Sequence, residues 1–225
     1  MADIRHIIHL VSKDLLIELR SKEILLSMII FSLTIILIFN FTYDIGIQAV
    51  QRHTPGLLWV AFIFAGTLGL NRSFMREYEN GRMEGLLLCP VSRGSIYIAK
   101  LVGNVIFMMI IEMVSLPVMV VLLNLDIIKF IPMLFLLLVL GNIGFASVGT
   151  LFSAISLHTR SRELMLPIML FPVTIPVILA AVKSTAFLLN AKPLAEIMPW
   201  VRILIGFDLI FTTLCSFLYK YVVED

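Results

Sequence analysis

The chain has 225 residues, of which 60% are hydrophobic and only 14% carry a charged side chain. Its mean hydropathy is +1.04. A water-soluble domain of this size cannot hide so much apolar surface, because its own exterior has to face water. The composition therefore excludes a soluble protein and predicts an all-α integral membrane protein. The net charge of +2 does not indicate nucleic-acid binding, and Cys89 and Cys215 lack the spacing of a disulfide framework or a zinc site.

The N-terminal segment shows the periodicity of a helix. Its apolar residues recur at steps of three and four: Ile4, Ile8, Val11, Leu15 and Leu19. Most charged residues fall away from that stripe, so the pattern predicts an amphipathic helix over 3–22. The sequence favours a position on the cytoplasmic leaflet for this helix. Packing on the cytoplasmic ends of the helical bundle is the alternative.

Gaps between charged residues predict six membrane-spanning helices. A hydrocarbon core about 30 Å thick needs roughly 20 apolar helical residues. The predicted spans cover residues 24–42, 56–71, 101–125, 130–157, 164–182 and 203–219. The first apolar run begins too late and is too long for a cleavable signal peptide, so we expect it to remain as an anchor. Residues 1–225 are thus interpreted as one transmembrane domain.

The distribution of lysine and arginine predicts the orientation. With six spans, twelve of the 17 basic residues lie on the side of the N terminus and five lie on the opposite side. Cytoplasmic segments carry the excess of basic residues in multi-pass membrane proteins. We therefore expect both termini in the cytoplasm.

Two segments outside the predicted spans are too apolar for solvated loops. The longest cytoplasmic segment, 72–100, contains Leu86, Leu87 and Leu88, which require a partner surface on another subunit or on the bundle itself. On the opposite side, the apolar segment 183–202 suggests a short helical pair at the interface.

Two carboxylates lie inside predicted spans. Glu112 is expected near the middle of the third span, where an unpaired charge is costly, so it should be neutral or hydrogen-bonded within the bundle. It either lines a substrate path or makes an interhelical hydrogen bond to a residue such as Asn142 or Ser147. Asp208 is expected to lie less deeply and to reach the outer interface.

No arrangement of residues indicates catalysis. The four histidines do not cluster, and the phosphate-binding pattern G-x-x-x-x-G-K-[ST] is absent from the sequence. We therefore expect neither a metal site nor an ATPase within the chain. Two pairs of small residues at spacing i, i+4 permit either close helix packing or dimerisation: Ala65 with Gly69, and Gly149 with Ser153.

An amphipathic N-terminal helix, six spans and a long first cytoplasmic loop together resemble the membrane subunits of type-2 ABC exporters. The residues that look like the ATPase-coupling region of that superfamily are Glu77, Glu79, Gly81, Glu84, Gly85, Leu87 and Pro90. Within the superfamily, the chain is most similar to the CcmB family of haem exporter permeases. Three stretches carry this resemblance: PGLLWVA at 55–61 with Arg72, EGLLL at 84–88 with Pro90, and LFPVTIP at 170–176. Asn71 departs from the pattern, which has an acidic residue before the arginine, so the partner of Arg72 is left open.

The resemblance implies a permease that has no ATPase of its own. It would dimerise with a second permease copy and bind two copies of a separate ABC ATPase subunit. A haem-handling membrane protein and a haem chaperone would complete a complex in the bacterial inner membrane, or less favourably the mitochondrial inner membrane. Such a complex delivers haem for c-type cytochromes, and haem would be a transported or handled ligand.

Three points stay open at the level of sequence. The subunit either moves haem itself or transmits ATP hydrolysis to the release of a haem-loaded chaperone. A type-2 ABC permease for another lipid or small hydrophobic substrate would share every feature except the three stretches. An intramembrane enzyme or a passive channel is the third class, but the spans contain few of the polar residues that would line a channel.

Overall fold

The computed structural model describes residues 2–42, 47–79, 91–125, 127–157, 159 and 162–224. The regular structure within these ranges is entirely helical. The α-helices are α1 (Ala2–Ser21), α2 (Glu23–Thr42), α3 (Ile47–Glu79), α4 (Arg93–Leu122), α5 (Ile131–Ser156), α6 (Arg162–Leu189) and α7 (Leu194–Glu224). A short 3₁₀ turn, Ile128–Phe130, precedes α5. Helices α2 to α7 each contain a stretch long and apolar enough to cross a membrane, which confirms the six predicted spans.

Helix α1 is a separate element that packs on the bundle. It ends at Ser21, and α2 begins at Glu23 after a single residue, Lys22, in the left-handed conformation (φ 57°). A left-handed residue is a common way to end a helix. Helix α1 contacts α4 and α2, so the structure shows the packing on the bundle that the sequence gave as its second alternative. Its apolar side chains Ile4, Ile8 and Leu19 nevertheless remain exposed.

Helices α3 and α5 occupy the centre of the bundle. Helix α5 contacts α3, α4, α6 and α7, and most of the apolar stretch of α3 is buried. The closest approach is at Gly141, where an added Cβ would lie 2.2 Å from Cη2 of Trp59. The indole N–H of Trp59 donates to Oγ1 of Thr185 on α6 at 3.0 Å. A single buried side chain therefore joins α3, α5 and α6.

The family-like stretches 55–61 and 170–176 lie on neighbouring helices. The first is on α3 and the second on α6, and these two helices are in contact. The rings of Phe64 and Phe171 lie 5.3 Å apart between their centroids. The two stretches are distant in sequence but lie on helices that pack against each other.

The small residues serve packing within the chain. A Cβ added at Gly69 would lie 2.3 Å from Sδ of Met28 on α2, and one added at Gly149 would lie 2.4 Å from Cδ1 of Leu70 on α3. These glycines allow α2, α3 and α5 to approach one another closely. Packing within the chain thus accounts for both glycines.

The helices are longer than the predicted spans. Helix α3 continues to Glu79 and α4 begins at Arg93, so 72–79 and 93–100 belong to helices and not to the predicted loop 72–100. On the opposite side, the expected helical pair within 183–202 is wrong, because α6 runs to Leu189 and α7 starts at Leu194. The gaps between charged residues show only where an apolar stretch begins and ends. A helix can continue beyond the lipid because it satisfies its own backbone hydrogen bonds.

The orientation is testable by labelling single cysteines introduced into a chain in which Cys89 and Cys215 are replaced. We expect a thiol reagent that cannot cross membranes to label positions 48 and 190 from outside. Positions 80 and 160 should be labelled only after the membrane is opened, because the more basic side is predicted to face the cytoplasm. The opposite pattern at any two positions would contradict an arrangement with both termini in the cytoplasm.

Candidate functional site

Helix α1 is attached to α4 by a buried ion pair. Nζ of Lys100 lies 2.6 Å from Oδ2 of Asp14, and the two side chains are 4% and 13% exposed. Lys13 also approaches Oδ1 of Asp14, at 3.2 Å. A buried charge without a partner is costly, so this pair fixes where α1 lies along the first turns of α4.

A second acidic residue of α1, Glu18, joins two further helices. Oε1 of Glu18 accepts hydrogen bonds from the backbone N–H groups of Ile24 at 2.7 Å and Leu25 at 3.0 Å, which caps the first turn of α2. Oε2 of the same carboxylate lies 3.4 Å from Nη1 of Arg76 on α3. Arg76 also donates to Oγ of Ser21 at 2.8 Å.

These contacts place α1 beside the predicted coupling segment. Arg76 belongs to the last turn of α3 and Lys100 to the third turn of α4, so α1 is bonded to the helix on each side of residues 80–90. We call this arrangement the α1 clamp, formed by Asp14, Glu18, Arg76 and Lys100. The clamp was not predicted from the sequence. The available signal was the pair of acidic residues four apart on α1, Asp14 and Glu18.

The predicted coupling residues fall partly outside the described part of the chain. Glu77 and Glu79 lie in the C-terminal turn of α3. Gly81, Glu84, Gly85, Leu87 and Pro90 are among residues 80–90, which lie outside the described residues. The open question about Arg72 is answered, since Arg72 donates to the hydroxyl of Ser27 on α2 in place of an acidic neighbour.

The intramembrane carboxyl of Glu112 is hydrogen-bonded between two helices. Nδ2 of Asn142 on α5 donates to Oε2 of Glu112 at 2.8 Å, and Glu112 is 2% exposed. Asn142 is one of the two partners that the sequence suggested. Glu112 lies ten residues before the end of α4, which is about 15 Å along a helix, so it sits in the second half of the helix and not at its centre.

The expectation for Asp208 is wrong. Helix α7 begins at Leu194, nine residues before the predicted span, so Asp208 lies near the middle of this helix. It is 7% exposed, and a Cβ added at Gly144, in the middle of α5, would lie 2.6 Å from its Oδ1. Neither carboxyl oxygen has a hydrogen-bond partner among the described residues. The residue is therefore deeply buried and does not reach an interface.

Substitutions at Glu112 and at Asp208 should affect the stability of the protein differently. Glu112→Gln keeps an acceptor for Asn142 and should leave the melting temperature of the purified protein unchanged. Glu112→Leu leaves the buried Asn142 amide without this acceptor and should cost about 1–3 kcal/mol. Asp208→Asn is the matched control, since no bond is lost there and stability should not fall. Equal melting temperatures for Glu112→Gln and Glu112→Leu would contradict a structural role of the Asn142 bond.

The fold is that of a multi-pass α-helical membrane protein whose six spans are preceded by an amphipathic helix. Many large apolar side chains of the outer helices are exposed, as on a surface covered by lipid; examples on α7 are Leu209, Ile210 and Phe217. Within the described residues, His, Cys, Asp and Glu do not form a group of three that could hold a metal ion.

The chain belongs to the family described as CcmB protein, which matches residues 5–224. It is 25% identical over 203 residues to Heme exporter protein B of Pseudomonas aeruginosa, covering 90% of this chain and 91% of that protein. Proteins of the same name from Bradyrhizobium diazoefficiens and Haemophilus influenzae are each 24% identical. The first match covers 78% of this chain and 79% of the relative, and the second covers 77% and 78%.

Proposed function

We propose that this chain is the permease subunit of an ATP-driven complex that exports haem, or delivers it, during the assembly of c-type cytochromes. Family membership and the name of its relatives, Heme exporter protein B, support a role in haem export. Six apolar helices fit a membrane subunit of a transporter. The chain is then no enzyme, and a separate ABC ATPase supplies the hydrolysis.

The structural observation that supports an ATP-driven permease is the α1 clamp. Force from an ATPase has to enter the membrane subunit through its cytoplasmic surface. Residues 80–90 connect α3 to α4 on the predicted cytoplasmic side, and the clamp bonds both helices to α1 on that side. A movement imposed on 80–90 is thereby passed to α1 and, through the Glu18 cap, to the start of α2. The exposed apolar face of α1 would lie on the cytoplasmic leaflet.

The proposed complex lies in the bacterial inner membrane. It contains a second permease copy, two ATPase copies, a haem-handling membrane protein and a haem chaperone. ATP hydrolysis drives either haem transfer or release of the haem-loaded chaperone. The second candidate function is a type-2 ABC permease for another lipid or small hydrophobic substrate. Neither the clamp nor the six spans specify which substrate is transported.

Purification of the complex from native membranes in mild detergent separates these functions. Co-purification of an ATPase with haem-handling proteins is the expected result. An ATPase without such partners would favour the alternative substrate, and the absence of any ATPase would contradict an ATP-driven permease.

The proposed docking surface is tested by two substitutions within 80–90, one that reverses a charge and one that places a charge at an apolar position. We expect Glu84→Lys and Leu87→Asp to leave the protein inserted but to weaken ATPase co-purification and to abolish c-type cytochrome maturation. Loss of one interface anchor typically costs more than about 1 kcal/mol. Lys192→Glu is the control, because Lys192 is exposed on the opposite side. Normal ATPase binding in both loop variants would move the docking site to 158–163 or to α1.

A further inference from the structure

A cavity lies between α4 and α5, beside Glu112. Its volume is about 250 Å³. The wall is almost entirely apolar, and its principal side chains are Met109, Met113, Leu116, Leu134, Phe135 and Leu138. Met113 and Phe135 are 63% and 47% exposed, so the cavity is open on the outer surface of the bundle.

Glu112, which lines the cavity, and its hydrogen-bond partner Asn142 together have more acceptor atoms than donors. Nδ2 of Asn142 donates to Oε2 of Glu112 and also approaches Sδ of Met109 at 3.2 Å, which uses both of its N–H groups. Oε1 of Glu112 and Oδ1 of Asn142 have no partner among the described residues, although both atoms are buried. Buried polar atoms are rarely left without a hydrogen bond.

A proline adds another acceptor to the same wall. Pro117 lines the cavity and lies inside α4. It has no N–H to donate to the carbonyl of Met113 four residues earlier, and Met113 lines the cavity as well. An apolar cavity bordered by acceptors fits a ligand that brings a hydrogen-bond donor on an apolar body.

We infer that this cavity binds the hydroxylated aromatic head group of a lipid-soluble molecule, of the phenol or hydroquinone class. The volume fits, because cavities of about 150 Å³ already hold benzene. The thioethers of Met109 and Met113 and the ring of Phe135 favour an aromatic partner. A phenolic hydroxyl both donates and accepts, so it fits the Glu112 carboxyl with or without its proton. The open side leaves room for an apolar tail in the lipid.

The site is independent of the proposed function. The cavity is on the second half of α4, whereas the clamp and residues 80–90 are at its beginning. Binding of the head group requires neither an ATPase nor haem, so the test below can fail without affecting the haem proposal.

The test uses 4-fluorophenol and 4-fluorotoluene, which differ by a hydroxyl against a methyl group. Their ¹⁹F resonances report binding to the purified protein in lipid nanodiscs, with empty nanodiscs as the reference for partitioning into lipid. We expect 4-fluorophenol to bind about fivefold more tightly to the wild type, as one hydrogen bond predicts. Glu112→Gln should keep this preference and Glu112→Leu should lose it.

Two tryptophan variants locate the site. Leu116→Trp fills the cavity and should weaken the binding of both probes, whereas Leu209→Trp, at a lipid-facing position of α7, should not. Gel filtration verifies that each variant is folded. Equal affinity of the two probes for the wild type overturns the inference. A hydroxyl preference that survives in folded Glu112→Leu, or unchanged binding to Leu116→Trp, overturns it as well.

Discussion

Replacing Lys100 by methionine is expected to weaken the attachment of α1 to α4 and to lower the stability of the protein. Methionine retains the length of the side chain but leaves Asp14 without its 2.6 Å partner. Removal of one partner from a fully buried ion pair typically costs about 3–5 kcal/mol, and Lys13, 3.2 Å from Oδ1 of Asp14, should offset part of this loss. The melting temperature in detergent should fall, and limited proteolysis should cut after α1 at protease concentrations that leave the wild type intact.

Two variants show whether the loss comes from the buried charge. Lys192→Met removes a lysine that is 50% exposed and 3.9 Å from Glu196, and an exposed pair of this kind contributes at most about 1 kcal/mol. The double variant Asp14→Asn/Lys100→Met should be more stable than Lys100→Met, since it removes the carboxylate that has lost its shorter ion pair. A double variant that is less stable than the single one would show that the ion pair does not determine the effect.

The two acidic residues of the clamp attach α1 to different helices. Glu18 and Asp14 are both on α1, but Glu18 caps α2 and contacts α3, whereas Asp14 contacts α4. Loss of the Asp14 pair would leave the Glu18 bonds to α2 and α3 in place. For the proposed permease, we therefore expect Lys100→Met to remain inserted and to keep ATPase binding while the coupling of α4 to α1 is lost.

The number of spans could be predicted from the sequence because lipid imposes a simple rule. A span requires a run of about 20 apolar residues, and such runs are visible in composition alone. The ends of the helices could not be predicted in this way. Helix α3 continues through Arg72 and Arg76 because a helix satisfies its backbone hydrogen bonds in water as well as in lipid.

The depth and partners of polar residues depend on packing, which a single sequence does not contain. Asn142 was named as a partner of Glu112 because few polar residues exist in neighbouring spans. The burial of Asp208 was missed, since it follows from the start of α7 at Leu194 and from the space beside Gly144. Lys100 was assigned to a loop boundary because a lysine usually marks the end of an apolar run, although here it pairs with Asp14.

Alanine substitutions at Gly141 and at Gly103 should have opposite effects on the stability of the protein. Gly141→Ala places a Cβ 2.2 Å from Cη2 and 2.5 Å from Cζ3 of Trp59. The indole cannot simply rotate away, because it is buried and bonded to Thr185. Overpacking of this kind costs about 1–3 kcal/mol, so the melting temperature should fall. At Gly103, which is buried on α4, an added Cβ meets no heavy atom within 4 Å. Gly103→Ala should therefore be neutral or stabilising by up to about 1 kcal/mol, as alanine favours the helix.

A smaller ring at position 59 should relieve the clash at Gly141. Trp59→Phe alone removes the hydrogen bond to Thr185 and part of the buried ring, so it should destabilise the protein. In the double variant Trp59→Phe/Gly141→Ala, the phenyl ring leaves space for the new methyl group. The combined loss of stability should then be smaller than the two single losses added together, because residues in direct contact are not independent. Additive losses in chemical or thermal unfolding would show that Trp59 is not what excludes a side chain at Gly141.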